Sequence, residues 1–312
     1  MSDEPEHRNW LELPRDVTAS IFSRLGAIDI LRSVQNVCSL WRNICKDPFM
    51  WRSIDMRNLD DLHDEDYDLM KICMHAVDRS NGNLVDINIE SFGTNGLLAY
   101  IADRSSGLRR LRIAYCPSIS DEGLSEAAVK LTLLEELEIT YCCHYISADA
   151  LEVVGRCCPH LKSFKFNKKV YMRPHIESDE DAQVIAQNMH ELRHLQLMGN
   201  RLTNSGLQAI LDGCPHLQSL DLRQCFNVVL RGDLEKRCTE RIKHLWRPQD
   251  STEGFESDST SYDFGSPYED YPSGPSDISL IADDYYDYEL GFSDDNPYDS
   301  DDFLEEYYFD QI

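Results

Sequence analysis

Basic residues are scarce in this sequence, and its last fifth contains none. The 312 residues include 30 Lys and Arg against 56 Asp and Glu, which gives a formal net charge of −26. Twenty of the acids and no Lys or Arg lie between Gln249 and Ile312, which leaves a net charge of −6 on the first 248 residues. Nucleic acids and anionic membranes require surfaces rich in Lys and Arg, so we expect neither as a main partner. Protein partners fit this charge better.

Long apolar runs are also missing. No stretch approaches the roughly 18 apolar residues that a membrane-spanning helix needs, and the start Met-Ser-Asp-Glu-Pro lacks the basic and then apolar layout of a signal peptide. The sequence therefore predicts a protein of the nucleus, the cytoplasm or both. Its eleven Cys lie among apolar residues, without the spacing of a disulfide framework. In a reducing compartment they are expected to be buried free thiols.

Common catalytic motifs are lacking as well, because neither Gly-x-Ser-x-Gly nor a phosphate-binding Gly loop occurs. Cys142-Cys143-His144 and Cys157-Cys158-Pro159-His160 superficially resemble zinc ligands. A repeat explains Cys142 by its position, however, and a turn that occurs twice explains Cys158 to His160. We therefore expect no metal, no cofactor and no catalytic residue in this chain.

The sequence does contain a recurring six-residue pattern, Leu-x-x-Leu-x-Leu, in which Ile or Phe replaces some of the Leu. Six copies start at Leu84, Leu108, Leu134, Leu161, Leu192 and Leu217. Their starts are 24, 26, 27, 31 and 25 residues apart. Trp51-x-x-Ile54-x-Met56 has the same spacing upstream, and Ile242-x-x-Leu245 begins it again downstream.

The residues after each pattern recur too. Cys or Asn follows three residues after the last apolar position in four copies, at Cys116, Cys142, Asn200 and Cys225. Ser120, Ser147 and Thr203 are then placed to cap helices. The whole pattern resembles the cysteine-containing leucine-rich repeats over residues 83–247. The resemblance implies a curved α/β solenoid with parallel strands inside and helices outside.

The copy that starts at Leu161 departs from this pattern. No Cys or Asn follows Phe166 at the expected step, and the segment from Asn167 to Ala182 is longer and charged. It predicts an outward loop, which is either a tolerated insertion or a partner contact.

A short region before the repeats has apolar residues at helical spacing. Val17, Ile21 and Leu25 lie on one stripe, and Asp29 is placed to cap a second helix whose apolar face continues to Trp41. About 45 residues are too few to bury all of these side chains in an independent core. We therefore expect a partner protein to cover the remainder.

The same region resembles the F-box family over residues 9–52. The motifs that carry the resemblance are Leu13-Pro14-x-Asp16-Val17, Ile21-Phe22-x-x-Leu25, Asp29-x-Leu31, Val37-Cys38-x-x-Trp41-Arg42 and Asp47-Pro48-x-x-Trp51. Among F-box proteins with such repeats, the plant Skp-interacting-partner type is the most similar group. The resemblance implies a three-helix fold that docks on a Skp-type adaptor and, through it, on cullin and RING subunits. The adaptor contacts that it implies are Leu13, Pro14, Ile21, Leu25, Leu31, Val34, Cys38 and Trp41.

These patterns divide the chain into five segments. Residues 1–8 are a flexible N terminus, residues 9–52 are the F-box, residues 53–82 are an irregular first repeat with a linker helix, and residues 83–247 are the repeats. Residues 248–312 are acidic and contain nine Tyr, and their self-repulsion predicts a disordered tail. The predicted fold class is therefore α/β, with a three-helix F-box, a leucine-rich-repeat solenoid and a disordered acidic tail.

Strand positions that alternate with the apolar pair should face away from the core. Across the arc, the middle positions of this kind are Asn88, Arg112, Glu138, Lys165, Gln196 and Asp221. Their charges alternate in sign, so two interpretations stay open. One is ion pairing between neighbouring strands, and the other is a polar face that docks a protein target.

Together, the two resemblances imply a non-enzymatic substrate-recognition subunit of a Skp-cullin-F-box (SCF) type E3 ubiquitin ligase. The F-box would bind the adaptor, and the repeat arc would hold a target for ubiquitination and proteasomal degradation. The sequence does not identify that target. The alternative is a non-degradative scaffold that binds proteins through the arc.

Overall fold

Strands and helices alternate along most of the chain, as the repeat predicts. The computed structural model describes residues 10–57, 68–142, 146–168 and 176–252. The N terminus expected to be flexible at residues 1–8 and the acidic segment from residue 253 onward lie outside the described residues. Part of the loop expected between Asn167 and Ala182 lies outside them as well.

Three helical rods form the N-terminal region. The first is α1, Arg15–Phe22. The second combines α2, Ala27–Asp29, with a π-helical segment, Ile30–Val34, and α3, Gln35–Val37. The third is α4, Ser39–Cys45, and 3₁₀ turns at Trp10–Glu12 and Pro48–Trp51 flank the set. These rods are the three-helix F-box that the motifs imply.

A single extended residue separates the second and third rods. Cys38 has φ −161° and ψ 169°, and its sulfur accepts a hydrogen bond from the Trp41 N–H at 3.5 Å. Cys38 therefore caps α4. The cap predicted at Asp29 is wrong, because the second rod already begins at Ala27 and the Asp29 side chain makes no capping hydrogen bond.

The repeats form one parallel sheet. Its strands are β1 Ser53–Met56, β2 Asp86–Glu90, β3 Arg110–Ala114, β4 Glu136–Thr140, β5 Ser163–Asn167, β6 His194–Gln196, β7 Ser219–Asp221 and β8 His244–Trp246. Strand order in the sheet follows the chain from β1 to β8, so each strand pairs with those of the adjacent copies. The copies predicted at Trp51 and Ile242 supply the first and last strands.

One helix follows each strand from β1 to β7. These helices are α5 Leu69–Arg79, α6 Asn95–Arg104, α7 Asp121–Lys130, α8 Ala148–Cys157, α9 Glu180–Asn188, α10 Asn204–Gly213 and α11 Gly232–Arg241. Successive helices pack side by side along the sheet. Within the described residues, no helix combines the length and the apolar character that crossing a bilayer would require.

The apolar positions of the pattern form a continuous core. The first position inside each strand is in register with its neighbours across the whole sheet: Ile54, Ile87, Leu111, Leu137, Phe164, Leu195, Leu220 and Leu245. The first seven are buried, and Leu245 packs against the core at its end. Full burial of one such side chain contributes about 1.5–3 kcal/mol, so stacked copies stabilise each other.

Inward-turning Cys and Asn side chains close the turns after the strands. The Cys225 thiol donates to the Leu197 carbonyl at 2.8 Å, and the Asn200 amide donates to the Phe166 carbonyl at 2.6 Å. Both bonds reach the preceding copy. Buried backbone oxygens are therefore satisfied by side chains where the strand ladder ends.

In the copy that starts at Leu161, Asn167, one residue after Phe166, makes the buried hydrogen bonds after the strand. The buried Asn167 side chain accepts the Met198 N–H at 3.2 Å and donates to the Thr140 hydroxyl at 2.9 Å. Asn167 thus joins the strands on both sides of it, although it lies outside the spacing of the other copies.

Helix starts are tied to the copy before them. Ser120, Ser147 and Thr203 occupy the predicted N-cap positions, but of these three only Thr203 accepts a capping hydrogen bond from its own helix. Ser147 instead donates its N–H and its hydroxyl to Asp121, at 2.8 and 2.6 Å. The caps therefore stabilise the stacking of copies as well as single helices.

Candidate functional site

The N-terminal helices present apolar side chains that are exposed within the described part of the chain. Val17, Ile21 and Leu25 follow one another at one-turn spacing from α1 onward, and all three are exposed. Thr18 and Phe22, on another side of α1, are buried. The helix is therefore packed against its own chain on one side and left with an apolar stripe on another.

The exposed apolar set extends beyond this stripe. We define the F-box apolar surface as Trp10, Leu11, Val17, Ile21, Leu25, Val37, Leu40 and Phe49, all of which are exposed. Concentrated exposed apolar residues of this kind mark protein-binding sites. Several of these residues were missed by the sequence-based set, although apolar residues flank both Cys38 and Pro48.

The structure places the eight predicted adaptor contacts in three environments. Pro14, Ile21 and Leu25 are exposed. Leu13, Cys38 and Trp41 are half-buried, and Leu31 and Val34 are buried. Leu31 and Val34 are only 9% and 7% exposed because the π-helical segment carries them into the core. For these two, the predicted direct contact is corrected to a supporting role inside the F-box.

Trp41 connects the buried and the exposed parts of this region. Its ring packs edge-on against Phe22, with ring centroids 4.8 Å apart. Its Nε1 atom is buried and has no hydrogen-bond partner among the described residues. A buried donor without an acceptor costs roughly 1–3 kcal/mol, so a partner that supplied an acceptor would gain affinity.

The F-box joins the sheet without a linker. Trp51 is buried, its Nε1 donates to the Cys45 carbonyl at 2.8 Å, and the Arg79 guanidinium lies 5.7 Å from its ring centroid. One residue later, the Arg52 carbonyl accepts the Asp86 N–H at 3.1 Å. β1 pairs with β2, so the copy at Trp51 with the repeat spacing joins the F-box to the sheet.

The strands carry two rows of side chains on the side away from the core. Exposed or half-buried residues immediately before the strands form a third row at the edge of the sheet, and we call the three rows together the strand face. The rim row immediately precedes the strands and includes Arg109, Glu135, Lys162, Arg193, Gln218 and Lys243. The outer row is Ser53, Asp86, Arg110, Glu136, Ser163, His194, Ser219 and His244. The middle row is Asp55, Asn88, Arg112, Glu138, Lys165, Gln196, Asp221 and Trp246. The six predicted middle positions are thus in register, and the strand face over β1–β5 lines a concavity of about 250 Å³.

Ion pairs cross the first half of the strand face. The Glu138 carboxylate lies 2.8 Å from Arg112 Nε and 3.0 Å from Lys165 Nζ. Arg112 also donates to the Asn88 side chain at 3.1 Å and lies 3.6 Å from the Glu90 carboxylate. Cross-strand pairing is therefore confirmed from Asn88 to Lys165.

The two carboxylates around Arg112 differ in their protonation equilibria. Burial alone would raise the pKa of Glu138, but Lys165 and Arg112 hold it below its ordinary value. Glu90, the last residue of β2, is buried, and burial raises its pKa despite the opposing effect of Arg112. Arg112 is thus shared by two acids and fixed between them.

The far end of the middle row differs from the sequence prediction. Asp221 is buried and paired with Arg223 in its own chain segment, with Nη2 and Oδ2 2.6 Å apart. Direct target contact by the Asp221 carboxylate is therefore corrected to an internal ion pair. Trp246, next to Asp221 in the row, is 40% exposed and lies 5.9 Å from the Arg223 guanidinium. It was missed because the last copy was recognised only as far as Leu245.

Two of the most deeply buried cysteines, Cys73 and Cys225, are poorly suited to nucleophilic or metal chemistry. Burial raises the pKa of the Cys73 and Cys225 thiols to about 12, whereas nucleophilic chemistry and metal binding use the thiolate. Within the described residues, no group of three or more His, Cys, Asp or Glu side chains is placed to hold a metal ion. Cys143 and His144 lie outside those residues.

Comparisons with known proteins match both regions of the chain, the N-terminal helices and the repeats, to families. An F-box-like family model matches residues 10–57, and a leucine-rich-repeat model matches residues 105–126 and 188–211. The F-box protein SKIP19 of Arabidopsis thaliana is 52% identical over 303 residues, which cover 96% of this chain and 95% of that protein. The putative F-box/LRR-repeat protein 22 of the same plant is 50% identical over 80% of each chain. F-box protein SKIP1, also from Arabidopsis thaliana, is 30% identical over 73% of this chain and 83% of its own. Because the similarity runs through the helical module and the repeats alike, this chain belongs to the family of F-box proteins with leucine-rich repeats.

Proposed function

We propose that this protein is the substrate-recognition subunit of an SCF-type E3 ubiquitin ligase. The F-box apolar surface binds a Skp-type adaptor, which connects the chain to cullin and RING subunits. The strand face, including Asn88, Arg112, Glu138, Lys165 and Gln196, holds a protein target for ubiquitination and proteasomal degradation. The observation that carries the proposal is the apolar surface of the F-box, which is exposed among the described residues.

The chain contributes positioning and no catalytic residue. Holding the target beside the conjugating enzyme replaces a bimolecular encounter by a local one, which raises the effective concentration of the target lysines. Ubiquitin transfer itself belongs to other subunits. The buried, protonated thiols are consistent with this division of labour.

The protein works in the nucleus, the cytoplasm or both. Ten cysteines of the described residues are free thiols, and free thiols in this number fit a reducing compartment. Imaging of the tagged full-length protein tests this location.

Substitutions at two equally exposed valines, one in the F-box and one in the repeats, test adaptor binding. Val37, in the F-box apolar surface, and Val129, in α7 of the repeats, are both 59% exposed. We expect Val37→Asp, and separately Ile21→Asp, to weaken adaptor binding by about 2 kcal/mol or roughly thirtyfold, because a charge would be buried in an apolar interface. Val129→Asp, the matched control, leaves the affinity unchanged. Calorimetry with the purified adaptor measures all three.

Equal affinity of Val37→Asp, Ile21→Asp and the unmodified protein for the adaptor would refute the docking surface. The non-degradative scaffold is separated by a second measurement. If the protein is a degradation receptor, its depletion raises the abundance of proteins that bind the strand face. A scaffold predicts unchanged abundance of every bound partner.

A further inference from the structure

Charge is divided unevenly along the strand face. Over β1–β4, the strand face carries the carboxylates of Asp55, Asp86, Glu135, Glu136 and Glu138. In the strands β5–β8 and the rim residues before them, the only carboxylate is that of Asp221, which is already paired with Arg223. The same part carries Lys162, Lys165, Arg193 and Lys243, with His194 and His244 between them. The second half of the strand face is therefore cationic.

Two of these cations have no carboxylate partner in the described residues. Lys162 and Lys165 reach back to Glu135 and Glu138 on the first half, at 2.8 and 3.0 Å. Arg193 and Lys243, in contrast, are exposed and form no ion pair with any described residue. Lys243 makes only a long hydrogen bond, 3.4 Å, to the Gln218 side chain. Their charge is available to a partner.

The middle row adds a polar donor and a ring to this cationic half. Gln196 lies between Lys165 and Asp221 in register, and its Nε2 atom is buried without a hydrogen-bond partner in the described residues. Such a donor costs free energy until an acceptor reaches it. Trp246 ends the row with an exposed ring, 6.4 Å from the His244 ring, and offers apolar contact area beside the charges.

We propose that the cationic half of the strand face, β5–β8, binds an acidic peptide segment of the target. Its carboxylates bind Arg193 and Lys243, one of its oxygens accepts from Gln196, and its chain packs on Trp246. Carboxylates suit these donors because charge-assisted hydrogen bonds are short and strong. The inference rests on the proposed function, since it specifies the chemistry of the target that the strand face holds.

A peptide fits this face better than a nucleic acid. The three strands from β6 to β8 span only about 10 Å across the sheet, at roughly 4.8 Å between neighbours, and carry two unpaired cations. A nucleic acid needs a longer basic track to displace its counterions.

Fluorescence anisotropy with the full-length protein tests the proposal. The probe is a fluorescein-labelled peptide in which Glu alternates with Gly and Ser, and its control carries Gln in place of every Glu. We expect the Glu peptide to bind, the Gln peptide not to bind, and added salt to weaken binding because the charges are exposed. Arg193→Glu combined with Lys243→Glu weakens binding by about tenfold or more.

Arg231→Glu is the matched control, because Arg231 is an exposed arginine before α11 that makes no ion pair with any described residue. It should bind the Glu peptide as the unmodified protein does. Absent binding, equal binding of the Gln peptide, an equal loss with Arg231→Glu, or tighter binding of a single-stranded oligonucleotide would each overturn the proposal. Adaptor affinity of the double variant is measured in parallel. Normal adaptor binding with failed peptide binding refutes this inference alone, whereas failed adaptor binding by the unmodified protein refutes the proposed function.

Discussion

At the scale of single residues, Glu138 links three neighbouring strands of the strand face through ion pairs. Its carboxylate binds Arg112 and Lys165, and these cations lie on the two neighbouring strands. Removing the charge would leave Lys165 without its partner and Arg112 with Glu90 alone. Because the cations are partly exposed, we expect Glu138→Gln to lower the free energy of unfolding by about 1–2 kcal/mol at neutral pH.

This loss depends on pH with a definite sign. The pKa of Glu138 is lower in the folded protein than its ordinary value of 4.5, so its stabilisation is complete above that value and disappears as pH falls through the folded pKa. Glu90 has the opposite dependence, but it is present in both proteins. The difference in unfolding free energy between the unmodified protein and Glu138→Gln therefore shrinks below pH 4.5. Urea unfolding across pH measures it.

Glu136→Gln is the control for this experiment, since Glu136 is exposed on the same strand and makes no ion pair with any described residue. It should change stability by less than about 0.5 kcal/mol at any pH. A pH-independent difference for Glu138→Gln would show that packing, and not charge, accounts for its effect.

Residue positions were predictable where the period of the repeat determines them. The middle row from Asn88 to Asp221 was predicted in register, because a strand alternates its side chains and every copy starts with the same spacing. Whether a position is buried was less predictable. Asp221 and Glu90 are buried beside the arginines that pair with them, and the π-helical segment carries Leu31 and Val34 into the core.

At the scale of elements, close packing between α9 and α10 depends on a glycine. A Cβ atom on Gly213 would lie 2.1 Å from the Ala186 carbonyl oxygen, which belongs to the backbone of α9. Gly213→Ala must therefore push the two helices apart, at a cost of roughly 1–3 kcal/mol. Gly96, in α6, has no neighbour closer than 3.9 Å to such a Cβ atom. Gly96→Ala should instead stabilise the protein by roughly 0.5–1 kcal/mol through helix propensity.

Thermal or urea unfolding of the two alanine variants checks this prediction. The opposite signs are the informative result, because both substitutions add the same methyl group within a helix. Similar destabilisation by both would mean that the spacing of α9 and α10 is not what Gly213 provides.

Element types followed from the sequence more reliably than element boundaries. Strands and helices of the repeats were predicted because each copy repeats the same signals. The second rod of the F-box was not predicted in detail, because Asp29 has the residue type of a cap while the helix begins two residues earlier at Ala27. The turn bond of Asn167 was also missed, since it lies outside the spacing that the other copies share.

At the scale of the whole molecule, Trp51 connects the F-box to the repeats. Its indole bonds to the end of α4, and its ring lies under Arg79 of α5. We expect Trp51→Ala to cost about 3–5 kcal/mol and to make F-box amides exchange hydrogen faster than amides of the repeats. Hydrogen exchange followed by mass spectrometry measures both regions. Trp246→Ala, which removes an exposed ring at the other end of the sheet, should leave the two regions equally protected.

A uniform increase in exchange across the chain of Trp51→Ala would indicate that the two regions unfold together regardless of this contact. The joint itself was predictable, because Trp51-x-x-Ile54-x-Met56 has the spacing of a repeat. The division of charge along the strand face became visible only once every strand was placed in register.

The direct passage from Trp51 to β1 determines how a captured protein would be oriented. Under the proposed function, the absence of a spacer between the F-box helices and β1 would present a bound target to the conjugating enzyme in a fixed orientation. Acceptor lysines would then be selected by where they lie on the cargo's surface and not by the residues around them. A lysine moved to the far side of the cargo would then escape modification, even if the cargo remained tightly bound.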